Sequence, residues 1–448
     1  MDVPVPRWDT VLGLPAPQNL DDLYDLRDLQ AACLLYQWGL PIVAMARLER
    51  AVREVVHARA EDVGAFVTYA ERRGILTPNT ITPYYITCVD LSVTGPIILD
   101  VPDGPIAGGV TDFWQRHITD IGPDGGRHVV TGPGHSPPDL GTDVRVAESR
   151  TNNIMCGLRI LTPDADGDLI RRFRVRRFDQ RDDPPPTRVL HPDGTTWFQA
   201  QPAGLDYFRE LAAILAREPV EERDRFFAGI AATLGIRRER PFEPGERVQE
   251  ILTEAARLGE AFAQATAYAK RFPTATYRPD SRWTRVANVE PSHVRDGLGQ
   301  FFERAAWFYE ATGMSEGMAH PTPGSGQGYL GTYTDGDGDW LDGGRAYTLR
   351  VPADPPARQF WSVCVYDALD RTLPGNPSQH AELSSRDALV TQPDGSVIIH
   401  FGPDRPAHRV NWIQTVPGRP WFAYLRLYAP TEPYFDRTWP LPDIEPAH

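Results

Sequence analysis

The chain has 448 residues, and at roughly 100–200 residues per domain that length predicts two to four domains or one large one. Hydrophobic residues make up 41% and charged residues 24%, the balance of a folded protein rather than a disordered one. The formal net charge of -14 argues against a nucleic-acid binder, which needs a basic face for phosphates, and against an anionic membrane surface as partner.

The first predicted element is a helix from about Asn19 to His57, with Asn19 or Asp21 as cap and acidic residues in the first turn, where the helix dipole favours them. Its stretch AACLLYQWGLPIVAM is apolar all round, as in a buried helix, and Gly39-Leu40-Pro41 should break or kink it. From about Thr77 to Phe178 the pattern changes to short β-rich runs between Gly, Pro and Asp turns. PIILDVP, RHVVTGPG, TDVRVAES and NIMCGLRILTP are the examples, and their spacing predicts an antiparallel sandwich or barrel. The charged, proline-rich run Asp179 to Asp193 reads as a linker or surface loop. Helical spacing returns in GLDYFRELAAILARE, ERDRFFAGIAATLG and ERVQEILTEAARLGEAFAQATAYAKRF, with a further helix expected around Val294 to Thr312. From about Gly328 the runs AYTLRVP, FWSVCVYD, ALVTQPDGSVIIHF and WFAYLRLYAP predict strands again, and Asp394-Gly395 is a hairpin signal.

Lys270 is the single lysine among 46 basic residues. A GC-rich coding sequence accounts for that, but it also removes a phosphate loop of the Gly-Lys type, makes kinase-type catalysis unlikely, and leaves Lys270 alone for any Schiff base. Cys33, Cys88, Cys156 and Cys364 are far apart, which removes zinc sites of the usual spacing and thioredoxin-like redox motifs. Met1 to Gln18 lacks a basic and an apolar leader region, and no apolar run approaches 18 residues, so neither a signal peptide nor a transmembrane helix is expected and the cytoplasm is the expected location.

The run YTDGDGDWLDGGRAYTLRVP, followed by FWSVCVYD, DGSVIIHF, NWIQTVPG and YLRLYAP, resembles the domain of unknown function 1214. YQWGLPIVAM, TPNTITPYYITCVDLSVTGPIILDVPD and TNNIMCGLRILTPD resemble the domain of unknown function 1254. The resemblance covers nearly the whole chain and implies an Ig-like β-sandwich, a helical region and a jelly-roll-like β domain. It implies little about activity. Where the family pattern reads roughly P-N-N-D-T-x-Y, this chain has Pro78-Asn79-Thr80-Ile81-Thr82-Pro83-Tyr84, so Ile81 replaces the acidic residue, as in a specialised member.

Several motifs invite a site and are weighed against plainer readings. Asp335, Asp337, Asp339 and Asp342 suggest a calcium loop, but Trp340 and Ala346 stand where such a loop needs glycine and glutamate, so a solvated turn is preferred. Gly326 to Gly331 satisfies G-x-G-x-x-G but precedes β sequence, not a helix. Asp21, Asp22 and Asp25, with Asn288, Ser292 and Asp296, fall at magnesium-motif spacings of terpene cyclases, which are all-helical, and an acidic helix start is preferred. His117, close to Trp114, Arg116 and Asp120, is the favoured general base. His380, in a loop after Asn376-Pro377, is a further candidate, since loops carry sites more often than strands do.

The predicted fold is mainly β with α: an Ig-like β-sandwich plus a jelly-roll-like β domain, with N-terminal and central helical regions. The expected boundaries are 1–60 for the N-terminal helical segment, 61–195 for the sandwich, 196–315 for the helical region and 316–448 for the jelly roll. The expected function is a small-molecule enzyme of cofactor-free acid/base chemistry (isomerase, cyclase, lyase or hydrolase) in specialised metabolism. Its cleft would lie between the β domains and the helices. His117, Asn79 and Tyr84 are the catalytic candidates, and Arg159, Trp361, Tyr366 and Arg426 the substrate-binding ones. No metal and no cofactor is expected. The expected partner is a small molecule, not a nucleic acid or a membrane, with a homo-oligomer possible. The alternative is a non-catalytic protein that binds a carbohydrate or small ligand on aromatic residues such as Trp361, Tyr366, Trp412, Trp421 and Tyr428.

Overall fold

The run Leu20–Glu54 forms one helix of 35 residues, with Asp21 and Asp22 in its first turn. It continues through Pro41, where a break was expected. Side chains from neighbouring segments donate to carbonyl groups beside that of Gln37, which loses its helical donor to Pro41. Tyr207 Oη donates to Tyr36 O, Arg304 Nη2 donates to Trp38 O at 2.7 Å, and Gln115 Nε2 donates to Pro41 O at 2.7 Å. A proline inside a helix is tolerated where the disturbed backbone finds such partners. Gly39 is required by close packing, because a Cβ there would lie 2.8 Å from Tyr207 Oη. Contrary to the sequence expectation, Pro17–Glu54 is long and apolar enough to cross a membrane, but 78% of its most apolar window is buried inside the protein.

The computed structural model describes residues 8–136, 144–162, 167–408 and 410–447. Residues 1–7 of the N-terminal stretch, Thr142-Asp143 at the head of TDVRVAES, and Pro163-Asp164 at the end of the run TNNIMCGLRILTPD lie outside the described residues. The helices Leu205–Arg217, Arg225–Thr233, Glu246–Tyr268 and Phe301–Glu310 share one apolar core with Leu20–Glu54. The N-terminal and central helical regions are thus one layer in space. The expected helix from Val294 begins instead as a hairpin, Val294–Arg295 against Leu298–Gly299. Asp296 and Gly297 make its tight turn at φ +53° and +77°, the conformation that an Asp-Gly pair favours.

A six-stranded sheet runs in the order Val189–Leu190, Val63–Phe66, Tyr84–Asp90, Asn153–Ile160, Ile106–Asp112, His117–Ile121. It packs on a four-stranded sheet, Arg174–Arg177, Ile97–Val101, Gly126–Thr131, Val144–Glu148, through a core of Val63, Val89, Leu99, Val110, Ile154, Cys156 and Leu158. A second pair consists of a five-stranded sheet, Thr284–Arg285, Gln327–Thr332, Trp421–Pro430, Ala357–Asp367, Glu382–Ser384, and a four-stranded sheet, Asn411–Gln414, Val397–Gly402, Tyr347–Val351, Glu445–Pro446. Asp394-Gly395 does turn the chain, with Gly395 at φ +83°, but residues 389–391 before it form only an isolated bridge. Helix and strand each take 28% of the chain, so the fold is mixed α and β rather than mainly β.

The two large sheets expose opposite faces by strict alternation. In the Asn153–Ile160 strand, Ile154, Cys156 and Leu158 enter the sandwich core, while Met155, Gly157 and Arg159 face the other way. In Trp421–Pro430, Ala423, Leu425 and Leu427 enter the second core, while Tyr424, Arg426 and Tyr428 face away from it. A two-residue side-chain period thus sends one half of each strand to its core and the other half to the space between the two units.

Candidate functional site

That space is a cavity of about 590 Å³, within the range of small-molecule pockets. One wall is the first unit's large sheet, which contributes Tyr84, Ile86, Gly109, Thr111, His117, Met155, Gly157 and Arg159. Gly157 pairs directly with Gly109 in the antiparallel ladder, so the middle of this wall carries no side chains. A Cβ at Gly109 would lie 2.9 Å from His117 Cε1, so glycine is what lets the imidazole lie against the strand. The facing wall is the second unit's sheet, with Tyr424, Arg426 and Tyr428 in its central strand, flanked by Gln327 and Tyr329. Trp307 at the end of its helix and the loop Ala311 to Met314 close a side, and Arg386 and Phe360 also line the cavity.

The charge in this cavity is basic. Arg426 is buried, donating from Nη1 to Tyr366 Oη at 2.6 Å and from Nη2 to the carbonyl of Thr77 at 2.8 Å. Among the described residues Arg159 makes only a long contact, 3.4 Å, to Tyr84 Oη, and it lies 5.5 Å from that ring's centre. No carboxylate among the described residues lies within ion-pair distance of either guanidinium. Both arginines act on the same two phenols, Tyr329 and Tyr428. Burial pushes the phenols of Tyr329, Tyr366 and Tyr428 up, so they are neutral hydrogen-bond donors at neutral pH. Arginine stays charged throughout.

The loop Thr77 to Thr82 locks the two units together beside the cavity. Thr77 takes a left-handed φ of +38°, a strained conformation for a β-branched residue. It is held there by three hydrogen bonds: its N–H to Arg371 O at 2.9 Å, its hydroxyl to Glu310 O at 2.8 Å, and its carbonyl from Arg426. Tyr366 Oη donates to Pro78 O at 2.7 Å, and Thr80 donates from its hydroxyl to Glu382 Oε2 at 2.9 Å. Asn79 Oδ1 accepts from the amides of Ile81 and Thr82 and from the Thr82 hydroxyl. Its own amide donates to Tyr84 Oη at 3.0 Å.

His117 stands at the start of the outermost strand of its sheet, its Nε2 3.2 Å from Asp120 Oδ1. A carboxylate on one ring nitrogen fixes the tautomer and orientation of a histidine base. Behind the opposite wall is a second group of titratable residues. Lys270 and Glu310 have fully buried side chains 3.2 Å apart, and Tyr333 Oη lies 2.7 Å from Glu310 Oε2 and 2.8 Å from Lys270 Nζ. Burial pushes the carboxyl of Glu310 up and the ammonium of Lys270 down.

Of the seven residues singled out in the sequence, His117, Tyr84, Arg159 and Arg426 line the one cavity. Tyr366 sits directly behind Arg426, and Asn79 sits behind Tyr84 as a loop clamp. Trp361 packs in the second sandwich core, because it is one residue out of phase with Ser362, whose strand partner is Arg426. Trp421 belongs to the same core, and Trp412 is half-buried, donating to Gly402 O. His380 is exposed. Asp335 Oδ1 accepts from the amides of Gly338 and Asp339, and Asp342 Oδ1 from Gly344, as in ordinary turns. Asp25 is paired with Arg247. Among the described residues no cluster of three histidine, cysteine or acidic side chains is placed to hold a metal ion. Sequence reasoning missed Tyr329, Thr77 and the Gly109–Gly157 pair. The only available signal for the glycines was their occurrence inside strand-like runs, which marks a close approach or a missing side chain.

Residues 63–181 match the family described as "Protein of unknown function (DUF1254)", and residues 326–432 match "Protein of unknown function (DUF1214)". No curated protein matches the chain. Among solved structures, it is similar to the VPA0106 protein from Vibrio parahaemolyticus, at 16% identity and a TM-score of 0.57, over 94% of this chain and 100% of that one. A putative uncharacterized protein from Burkholderia cenocepacia aligns at 13% identity and a TM-score of 0.41, over 96% of each chain. The first of these likenesses concerns the fold alone. With its two matched segments on either side of the central helices, the chain belongs to the family in which the DUF1254 and DUF1214 domains stand in tandem.

Proposed function

We propose that the chain is an enzyme that acts on a small molecule in the cavity between its two β units, by acid/base chemistry that needs no cofactor. The observation that carries this reading is the placement of His117, paired with Asp120, in the same cavity as the Tyr84 phenol and two arginines. A histidine base, a phenol and fixed positive charge are the parts that a proton abstraction or an elimination requires. In this reading His117 takes the proton, Tyr84 is held by the Asn79 amide to orient or protonate the substrate, and Arg159 and Arg426 bind it. Tyr366 holds Arg426 in place. The two sheet pairs, each closed over its own apolar core, support the Ig-like and jelly-roll-like descriptions of the units. The four free, buried cysteines suit a cytoplasmic location.

The test is proton exchange. Purified protein is incubated in D₂O with a library of small metabolites, and each compound is followed by mass spectrometry for deuterium uptake or conversion. The wild type is expected to label or convert at least one class of compound, and His117→Gln to lose that activity while still binding the compound. A library member that binds in the cavity without exchange or conversion by the wild type would support a non-catalytic ligand-binding protein instead.

A further inference from the structure

We infer that the cavity recognises an organic oxyanion: a molecule with an apolar or aromatic body and a carboxylate or phosphate head, the head seated on Arg159. This rests on the cavity being the functional site but not on the reaction that takes place there. Arginine buried in a protein is ordinarily matched by a carboxylate, because an isolated charge loses its hydration and gains nothing in return. Several arginines of this protein have such a partner, whereas the buried Arg72 and Arg304 are held by backbone carbonyls instead. Arg116 Nε lies 2.6 Å from Asp112, Arg188 Nη2 lies 2.6 Å from Asp62, and Arg419 Nη2 lies 2.9 Å from Asp370. In the cavity, Arg426 has the buried Glu382 carboxylate as an electrostatic neighbour, and Arg159 has no carboxylate within ion-pair distance among the described residues.

The two arginines differ in how much they have left to give. Arg426 spends both terminal nitrogens on Tyr366 and Thr77, so it is a fixed positive charge built into the wall. Arg159 keeps its planar fork almost unused among the described residues, with one contact of 3.4 Å. That fork matches the two oxygens of a carboxylate or phosphate. The Tyr428 hydroxyl, two residues from Arg426 on the same strand face, is buried and without a hydrogen-bond partner among the described residues, and its phenol interacts with both guanidiniums. An anion on Arg159 would supply the acceptor that it lacks. The rest of the lining sets the body of the ligand: Ile86, Met155, Trp307, Met314, Phe360 and the bare Gly109–Gly157 floor are apolar. The Phe360 ring stacks on Tyr428 with centroids 3.9 Å apart, and Arg386 covers its other side at 3.8 Å.

The test uses three probes of similar size: 4-phenylbutyrate, phenethyl phosphate and the neutral 4-phenylbutanol. Each is titrated by calorimetry into the full-length wild type, Arg159→Gln and Tyr428→Phe. Binding of at least one anion, about ten- to hundredfold tighter than the alcohol, is expected from one charge-assisted contact. Arg159→Gln should remove that advantage and leave the alcohol unchanged, and which anion wins names the head group. The proposal is overturned if the alcohol binds as tightly as the anions, if Arg159→Gln binds the anions as the wild type does, or if no anion binds at millimolar concentration. Circular dichroism of each variant separates loss of binding from loss of fold. Anion binding through Arg159 without deuterium exchange would sink the enzymatic reading and leave this one standing. Exchange confined to neutral compounds would do the reverse.

Discussion

The Arg426 guanidinium donates to the carbonyl of Thr77 at 2.8 Å, across 349 positions of sequence, and so joins the cavity wall of one β unit to the strained loop of the other. Its second bond, to Tyr366, continues the same link, because Tyr366 in turn donates to Pro78 of that loop. Arg426→Gln therefore removes two charge-assisted hydrogen bonds from a buried junction, and the Thr77 carbonyl loses this partner. At about 1.5–3 kcal/mol for each such bond, a loss of about 3 kcal/mol or more is expected. Urea denaturation followed by tryptophan fluorescence would measure it, and an unchanged midpoint would refute the structural half of this assignment.

Arg159 predicts the opposite sign. Its one long contact to Tyr84 gives back little of what its charge loses on leaving water. Arg159 is half-buried; Arg159→Met keeps the length of the side chain and removes the charge, so stability in an anion-free buffer should hold or rise, by up to about 1 kcal/mol, since its partial loss of hydration is poorly compensated. Residues that cost stability and serve binding are the expected mark of a functional site. A urea midpoint lowered as far as that of Arg426→Gln would make Arg159 a structural residue.

Much of this was legible in the sequence, because alternation was. The runs NIMCGLRI and WFAYLRLY announce strands, and a period of two puts Arg159 and Arg426 on the faces opposite their cores once the core face is known. Which face that is depends on tertiary packing, and for that reason Trp361 was grouped with Arg426 although it lies on the other side of its sheet. The hairpin at Val294 was masked by apolar residues at helical spacing, although Asp296-Gly297 carried the turn signal. The role of Asn79 was beyond reach, since its partners are set by a loop conformation that residue types do not specify. Pro41 misled for the same reason: the side chains that satisfy the carbonyls around it come from positions 74 to 266 residues away in the sequence.

His293 gives a pH signature. It is 1% exposed at a left-handed φ of +63°, and neither ring nitrogen has a hydrogen-bond partner among the described residues. Burial holds its pKa well below the ordinary value, and the facing Arg304, Arg223 and Arg116 add to that. Asp224, Glu221 and Asp112 compensate these arginines without touching the imidazole. The unfolded chain takes up a proton on this histidine below about pH 6.5 and the folded protein does not. The contribution is therefore complete above pH 6.5 and is lost as pH falls, by about 1.4 kcal/mol per pH unit. Carboxyls with raised pKa values, such as Glu218, act in the other direction, so the readout is a difference. Between pH 7.5 and 5.5 the wild type should lose more stability than His293→Asn, which tolerates the backbone. Parallel curves for the two proteins would count against a neutral, buried His293.

Gly157 tests the cavity without touching its charges. A Cβ there would meet only Met155 Cε, at 3.6 Å, and its backbone is in ordinary extended conformation. Gly157→Val is expected to fold with stability within about 1 kcal/mol of the wild type, since a strand interior accepts a β-branched residue better than glycine. It should nevertheless weaken the binding of 4-phenylbutyrate or phenethyl phosphate, whichever the wild type prefers, by filling the floor of the cavity. Gly109→Val should instead unfold or distort the sheet, because its Cβ would strike His117 and the carbonyl of Thr119, both at 2.9 Å. Equal behaviour of the two variants in calorimetry and thermal melting would place the ligand elsewhere.

The only lysine of the chain lies where lysine is least expected, with no exposed side-chain surface, against an equally buried glutamate. The pair ties Glu310, at the end of the Phe301–Glu310 helix, to Lys270, just past the Glu246–Tyr268 helix, and Tyr333 bridges both. Removing one partner strands the other without water or counter-charge, at a cost of about 3–5 kcal/mol, whereas removing both leaves no orphan. Lys270→Met alone should lower the denaturation midpoint strongly, and Lys270→Met with Glu310→Gln should recover a large part of the loss. The absence of other lysines supplies a second readout. An amine-reactive ester should label the native protein only at its α-amino group and gain one further site on unfolding. Labelling of Lys270 in the native state would show that this pair opens to solvent, and the stability argument would fail with it.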